Sequence, residues 1–158
     1  MELFDSHAHY DDKAFKEDRD EILSSLKEGG IDYVVNAGSC VRTSKAAIKL
    51  AEQYDFIYAT AGVHPGNITN FGENSLAKIR RLSEHEKVLA IGEIGLDYHY
   101  DDTDKALQKE AFAMQLELAY EVGLPVVIHN RDSFADCLDI IKASPIRETG
   151  GLIHCFSG

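Results

Sequence analysis

An α/β fold of the (β/α)8 TIM-barrel type, with only its first six strands present, is what this sequence predicts, and three observations carry the expectation. Six short apolar runs suited to buried parallel strands alternate with stretches of helical spacing, the pattern of strands joined by crossover helices. Strand starts run from residue 2 to residue 151 over five units. Each unit therefore takes roughly thirty residues, and eight such units come to about 240, near the usual barrel length. A doubly wound sheet of five or six strands suits 158 residues better on length alone. Such a sheet would carry a Gly-rich phosphate loop after its first strand, however, and Ser6-His7-Ala8-His9 stands there instead.

The first strand is expected at Glu2–Ser6, followed by a helix over Asp18–Glu28 that Gly29-Gly30 ends. Strand two, Tyr33–Gly38, leads to a helix at Ser44–Tyr54, and strand three, Ile57–Val63, leads to one at Ser75–Glu84. Strand four spans Leu89–Leu96. The clearest helix follows at Asp104–Val122, where Leu107, Ala111, Met114, Leu118 and Val122 step by three or four and Gly123 closes the turn. Strand five, Pro125–His129, precedes a helix over Asp132–Ala143 with Phe134, Leu138 and Ile141 on one face, stopped by Ser144-Pro145. Strand six is Gly151–Phe156. Residues 1–158 thus read as a single, incomplete barrel domain without its last two strands and final helices.

At 44% apolar and 27% charged residues the chain is too apolar for disorder, and at this length about two-thirds of the unfolded surface is buried on folding. Subtracting 27 acids from 16 bases leaves a net charge of −11. That balance argues against a broad basic face for nucleic acid, but not against bound metal ions as a local source of positive charge. The N-terminal MELFDSHAHYDD has neither a basic n-region nor an apolar h-region, and no apolar run approaches the roughly eighteen residues of a membrane span. Cys40, Cys137 and Cys155 are too few and too scattered for a disulfide framework. A soluble, cytoplasmic domain without membrane contact is expected.

The chemistry-bearing residues gather at strand ends. His7 and His9 follow strand one, His64 follows strand three, Glu93 lies late in strand four, His129 ends strand five and His154 ends strand six. The C-terminal ends of parallel strands converge on one face, and in barrels that face carries the active site. Residues i and i+2 on a strand point the same way, so His7 and His9 can grip one cation together. A carboxylate among imidazoles can bridge two cations about 3.5–4 Å apart, a pair that activates bound water and stabilises a leaving oxygen. Glu93 sits among Ile91, Ile94 and Leu96, where an unpaired carboxylate would be costly to bury. Arg131, two residues beyond His129, can clamp a phosphate oxygen, a salt bridge to the next helix being the ordinary alternative. Asp97 is expected to orient a ligand, and Cys155 to point away from His154 into an apolar layer. His85 and His99, at a helix end and in a polar loop, read as structural.

These residues carry a family resemblance. Phe4-Asp5-Ser6-His7-Ala8-His9, Ala61-Gly62-Val63-His64-Pro65 and Ile91-Gly92-Glu93-Ile94-Gly95-Leu96-Asp97-Tyr98 resemble signatures of the TatD family of metal-dependent deoxyribonucleases. Val127-Ile128-His129-Asn130-Arg131-Asp132 and Ile153-His154-Cys155-Phe156-Ser157-Gly158 are similar to its remaining signatures, in order and spacing across the whole chain. The resemblance implies an amidohydrolase-like barrel and phosphodiester hydrolysis of DNA, often as a 3′-to-5′ exonuclease. It implies two divalent ions, magnesium, manganese, zinc or nickel by the donor set. His7 and His9 would hold the first, Glu93 would bridge, and His129 and His154 would hold the second. His64 and Arg131 would contact substrate phosphate.

Two departures accompany the resemblance. Gly66 follows Pro65 where family members commonly carry a second histidine, and the Glu-Thr-Asp type segment whose aspartate ligates the first metal is not in this sequence. The expectation is a fragment of a longer protein, with weakened first-metal affinity and with open sheet edges able to self-associate, but no obligate protein partner. Hydrolysis of a small amide or lactone is the alternative activity, since fold and ligand set do not determine substrate. Amide-cleaving relatives often bridge with a carbamylated lysine, and Glu93 in that position favours the nuclease. A catalytically incompetent fragment is the third alternative.

Overall fold

The computed structural model describes residues 3–100 and 104–156. Glu2, expected to open the first strand, and Ser157-Gly158 of the sixth-strand signature lie outside the described residues. Six strands and five helices alternate: β1 Leu3–Ala8, α1 Arg19–Glu28, β2 Ile31–Asn36, α2 Val41–Ala51, β3 Ile57–Ala61 and α3 Glu73–Ser83. They continue with β4 Val88–Asp97, α4 Lys105–Val122, β5 Val126–Arg131, α5 Phe134–Ala143 and β6 Gly151–His154. All strand pairs are parallel and neighbours follow chain order, β1-β2-β3-β4-β5-β6. Six flat strands would set the outermost two roughly 24 Å apart. Instead the imidazole of His7 on β1 stacks on that of His154 on β6, with ring centroids 3.6 Å apart and 5° between planes. The sheet is therefore curled into a nearly closed barrel.

The main core lies between the outer face of this sheet and the helices. Val34, Ile57, Ile91, Ile94, Leu96 and Ile128 pack against Leu23, Ile48, Phe112 and Leu116, all buried. Inside the curl, Phe4, Val35, Leu89, Val127 and Leu152 line an open cavity of about 310 Å³. No helix among the described residues is long and apolar enough to cross a membrane.

Local chemistry moves several element boundaries from where periodicity puts them. α2 begins at Val41 rather than Ser44, because the Thr43 hydroxyl accepts hydrogen bonds from the Ser39 and Cys40 N–H groups at 2.8 and 2.9 Å and organises the turn earlier. α4 starts where Asp104 accepts from the N–H groups of Ala106 and Leu107, and it ends at Gly123 in the left-handed region, φ +70°. Its buried face is centred on Gln108, Ala111, Phe112, Gln115 and Leu118. The face of Leu107, Met114 and Val122 is only half-buried. On α5 the inward residue is Cys137, and Phe134 stands exposed, edge-on to Phe156. The strand β6 stops at His154, so Cys155 takes a left-handed conformation, φ +53°, and is exposed rather than facing an apolar layer.

The barrel is not sealed between β1 and β6, which are the two ends of the sheet. Phe4 and Ile153 are 59% and 44% exposed there, and unpaired edges template association. This 158-residue chain is expected to self-associate, with a sedimentation coefficient that rises with concentration, and Ile153→Lys is expected to suppress the rise. A concentration-independent monomer would contradict the expectation.

Candidate metal centre

Backbone geometry brings the strand-end side chains to one point. His7 lies within β1 rather than after it, and His9 just beyond its end. β5 continues past His129 to Arg131. His129 and His154 are direct register partners on β5 and β6, so they share a face. On β4 the register jumps between Gly92↔Val127 and Ile94↔Ile128, leaving Glu93 without an opposite number. That irregularity lets Ile94 enter the outer core while Glu93 faces the histidines. The strands approach closely here: a Cβ on Gly92 would lie 2.7 Å from the Val127 Cβ, and one on Gly95 would overlap the His129 carbonyl oxygen. Gly95 also holds φ +134°, a conformation other residues rarely adopt.

Glu93 is the hub. It is 3% exposed, and its two carboxylate oxygens face different imidazoles. Oε2 lies 3.6 Å from His7 Nε2 and 3.7 Å from His9 Nε2. Oε1 lies 2.9 Å from His129 Nδ1 and 3.8 Å from the Nε2 atoms of His64 and His154. Two sets of donors, His7-Glu93-His154 and His64-Glu93-His129, each lie within 4.8 Å of one another. A division by carboxylate oxygen instead puts His7 and His9 on one side and His64, His129 and His154 on the other.

Hydrogen bonding separates imidazoles ready to ligate a cation from those that are not. Ala37 C=O lies 3.1 Å from His9 Nδ1 and so receives its proton, leaving the Nε2 lone pair free. That Nε2 is 3.1 Å from His7 Nε2, close to the roughly 3.3 Å between two nitrogens that each sit 2.0–2.1 Å from one tetrahedral ion. His7 Nδ1 is buried without a hydrogen-bond partner, so its ring is not anchored from behind. His64 is the opposite case. Its Nδ1 accepts from the Gly66 N–H at 3.0 Å, so the neutral ring carries its proton on Nε2 and presents a donor, not a lone pair, to the site. This is the arrangement for contacting an anionic oxygen. The main-chain N–H of Gly66 thus orients His64.

His129 is held at both nitrogens, by Glu93 Oε1 at 2.9 Å and by Asp97 Oδ2 at 3.1 Å. Asp97 is itself fixed by the His99 N–H, 3.0 Å from its Oδ1. Arg131, at the end of β5, sits 5.3 Å from the Tyr100 ring centroid, a cation–π placement. The two histidines read as structural stay at the surface, His85 against Glu52 and His99 against Asp132. Two buried residues of this neighbourhood were not singled out by sequence reasoning, Gln108 and Gln115. Both are 1% exposed on α4, and a polar residue inside a buried helical stripe was the available signal.

Burial pushes the pKa values of His7 and His64 down to about 4, Glu93 only partly offsetting it. Burial also works against charge on Glu93 and on His129, but their mutual hydrogen bond and the neighbouring groups win. Glu93 falls to about 2 and His129 rises above its ordinary value. In the metal-free chain the ring proton resonances of His7 and His64 are therefore expected to titrate near pH 4, and those of His129 above 6.5. Because the folded values of His7 and His64 lie below the unfolded one, the stability they support is complete above about pH 6.5 and lost as pH falls toward 4. Titration of all three near 6.5 would mean that this packing does not hold in solution.

Comparison with known proteins agrees with this architecture. The family model described as TatD related DNase matches residues 4–158. The chain is 44% identical over 156 residues to a Bacillus subtilis protein described as the uncharacterized metal-dependent hydrolase YabD, covering 99% of this chain and 61% of that protein. It is 34% identical over 156 residues to the Cronobacter sakazakii 3′-5′ ssDNA/RNA exonuclease TatD, covering 99% of this chain and 59% of that protein. The crystal structure of YjjV, a TatD homologue from Escherichia coli K12, superposes with a TM-score of 0.91 at 31% identity, over 99% of this chain and 61% of that one. The chain thus spans about three-fifths of the length of the relatives it matches. With the family model running over nearly all of its length, and with five histidines from four segments gathered around one buried glutamate, the chain belongs to the TatD-related DNase family.

Proposed function

We propose that this chain carries the metal centre of a two-metal hydrolase that cleaves phosphodiester bonds of DNA, as a 3′-to-5′ exonuclease. The observation that supports it best is the division of the Glu93 carboxylate between two groups of histidines. On this reading His7, His9 and Glu93 would hold one divalent ion, and Glu93, His129 and His154 would hold the other. Two such ions lower the pKa of bound water and offset the charge of a phosphate and its leaving oxygen. A cytoplasmic setting suits the three free cysteines, and the 158 residues are taken as one incomplete barrel domain.

The chain's own groups have separate tasks. Glu93, ionised even in acid, keeps a negative charge between the two ligand groups. Asp97 Oδ2 accepts a hydrogen bond from His129 Nε2–H and fixes that ring, leaving Nδ1 directed at the ligand position. His64 Nε2–H and the Arg131 guanidinium donate to phosphate oxygens, the first from inside the site and the second from its rim. Together they give an acidic chain one neutral and one cationic donor for a strand end, without a long basic track.

Three variants test the assignment. Native mass spectrometry with added Mn²⁺ is expected to show two ions on the parent and none on Glu93→Ala, with hydrolysis of a 5′-labelled single-stranded oligonucleotide abolished. Asp97→Asn is expected to weaken Mn²⁺ binding by roughly 10–100-fold. His64→Ala is expected to keep both ions and lose about a hundredfold in turnover, as when an oxyanion donor is removed. Loss of an ion from His64→Ala would make His64 a ligand, and unchanged hydrolysis by Glu93→Ala would end the proposal.

A further inference from the structure

Gln108 and Gln115 stand seven residues apart on α4, on one face of the helix, and each bonds both backbone groups of one strand-end residue, Gln115 Nε2 donating also to the Ala111 C=O at 3.2 Å. Gln115 Oε1 accepts from the Val63 N–H at 2.8 Å while its Nε2 donates to the Val63 C=O at 3.0 Å. Gln108 repeats the arrangement at Asp97: Oε1 accepts from the N–H at 2.8 Å and Nε2 donates to the C=O at 2.9 Å. A primary amide placed this way supplies the acceptor and donor that an adjacent strand would supply. It does so on the side where β3 and β4 no longer pair; on its other side Asp97 is still in register with Arg131 of β5. Pairing between β3 and β4 ends at Ala61↔Ile91, yet Val63 lies two residues beyond that point and β4 runs on to Asp97.

Both clamped residues bear directly on the site. Val63 immediately precedes His64, whose Nε2 is 3.8 Å from Glu93 Oε1. The Asp97 carboxylate reaches His129 Nε2 at 3.1 Å. The helix that delivers the clamps is eighteen residues long and capped at both ends, by Asp104 and by Gly123. It is a rigid ruler laid across two strand ends. Core packing does not require amides at these positions, since a methionine of similar length fills such space, and buried glutamines are uncommon.

We propose that Gln108 and Gln115 are positioning residues of the metal centre: by bonding both backbone groups of Asp97 and of Val63 they aim the Asp97 carboxylate at His129 and the His64 imidazole at Glu93. The inference rests on the metal-centre reading above. The two clamps have separable consequences. Gln108 acts through Asp97 and His129, and so on metal affinity. Gln115 acts through His64, and so on substrate turnover with metal affinity unchanged.

The experiment is a pair of double-mutant cycles on the full chain. Gln108→Met is expected to weaken Mn²⁺ binding, measured calorimetrically, by about tenfold. It should cause no further loss in the Asp97→Asn background, because the group it aims is already gone. Gln115→Met is expected to bind Mn²⁺ as the parent does, to lower kcat on a single-stranded oligonucleotide about tenfold, and to add nothing to His64→Ala. Amide hydrogen exchange provides a metal-independent readout: Val63 should lose protection in Gln115→Met only, and Asp97 in Gln108→Met only. If either methionine variant fails to fold, its Gln→Glu counterpart, which keeps the acceptor and loses the donor, replaces it. Effects that add independently to those of Asp97→Asn and His64→Ala would assign the glutamines a merely structural role and overturn the proposal. So would Gln108→Met binding Mn²⁺ as tightly as the parent. A parent chain that binds no Mn²⁺ would overturn the metal-centre reading as well, which distinguishes the two failures.

Discussion

Everything at the mouth of this barrel depends on one buried carboxylate. Glu93 sits 3% exposed on a strand whose other residues are apolar or glycine up to Asp97. A charge so placed is tolerable only with compensating partners. Those partners cannot come from β4 itself, because the strand directs neighbouring side chains outward into the core. They come from β1, β5 and β6 and from the segments after β1 and β3, as imidazoles that approach from several sides. The curl of the sheet is what makes this convergence possible, and the stacked rings of His7 and His154 mark where its two ends meet.

The imidazoles are not equivalent, and their differences come from what lies behind each ring. Ala37 behind His9 frees a lone pair, Gly66 behind His64 removes one, and Asp97 behind His129 draws a proton onto the far nitrogen. A ring of identical residues is thereby given different free nitrogens by three backbone or carboxylate groups. On the proposed reading, this sorting also reconciles an acidic protein with a phosphodiester substrate. On that reading attraction would be confined to the site, and the net charge of −11 would disfavour long stretches of nucleic acid.

Much of the fold was legible in the sequence because parallel strands buried on both faces leave continuous apolar runs, and crossover helices leave a distinct period. Every expected strand and helix exists, and most boundaries moved by only a few residues. The exceptions share a cause. α2 begins early because a threonine hydroxyl two residues inside the helix captures preceding N–H groups. Phe134 is exposed and Gln108 and Gln115 are buried because periodicity counts apolar residues, whereas a helix rotates to whatever face satisfies its neighbours. Two strand ends left without each other past Ala61↔Ile91 needed amides on that side more than they needed apolar cover.

For the site, the sequence by itself determined the inventory: which residues stand at the ends of parallel strands, and therefore that four histidine-bearing segments and one glutamate share a face. Alternation along a strand and the common direction of parallel strands are enough for that. Only the tertiary structure decided how the members are used. The irregular register at Glu93, the hydrogen bonds behind His9 and His129 and the clamps from α4 all depend on groups distant in the chain. A hydrogen bond is specific to within a few tenths of an ångström and is indifferent to sequence separation, so no local pattern records it.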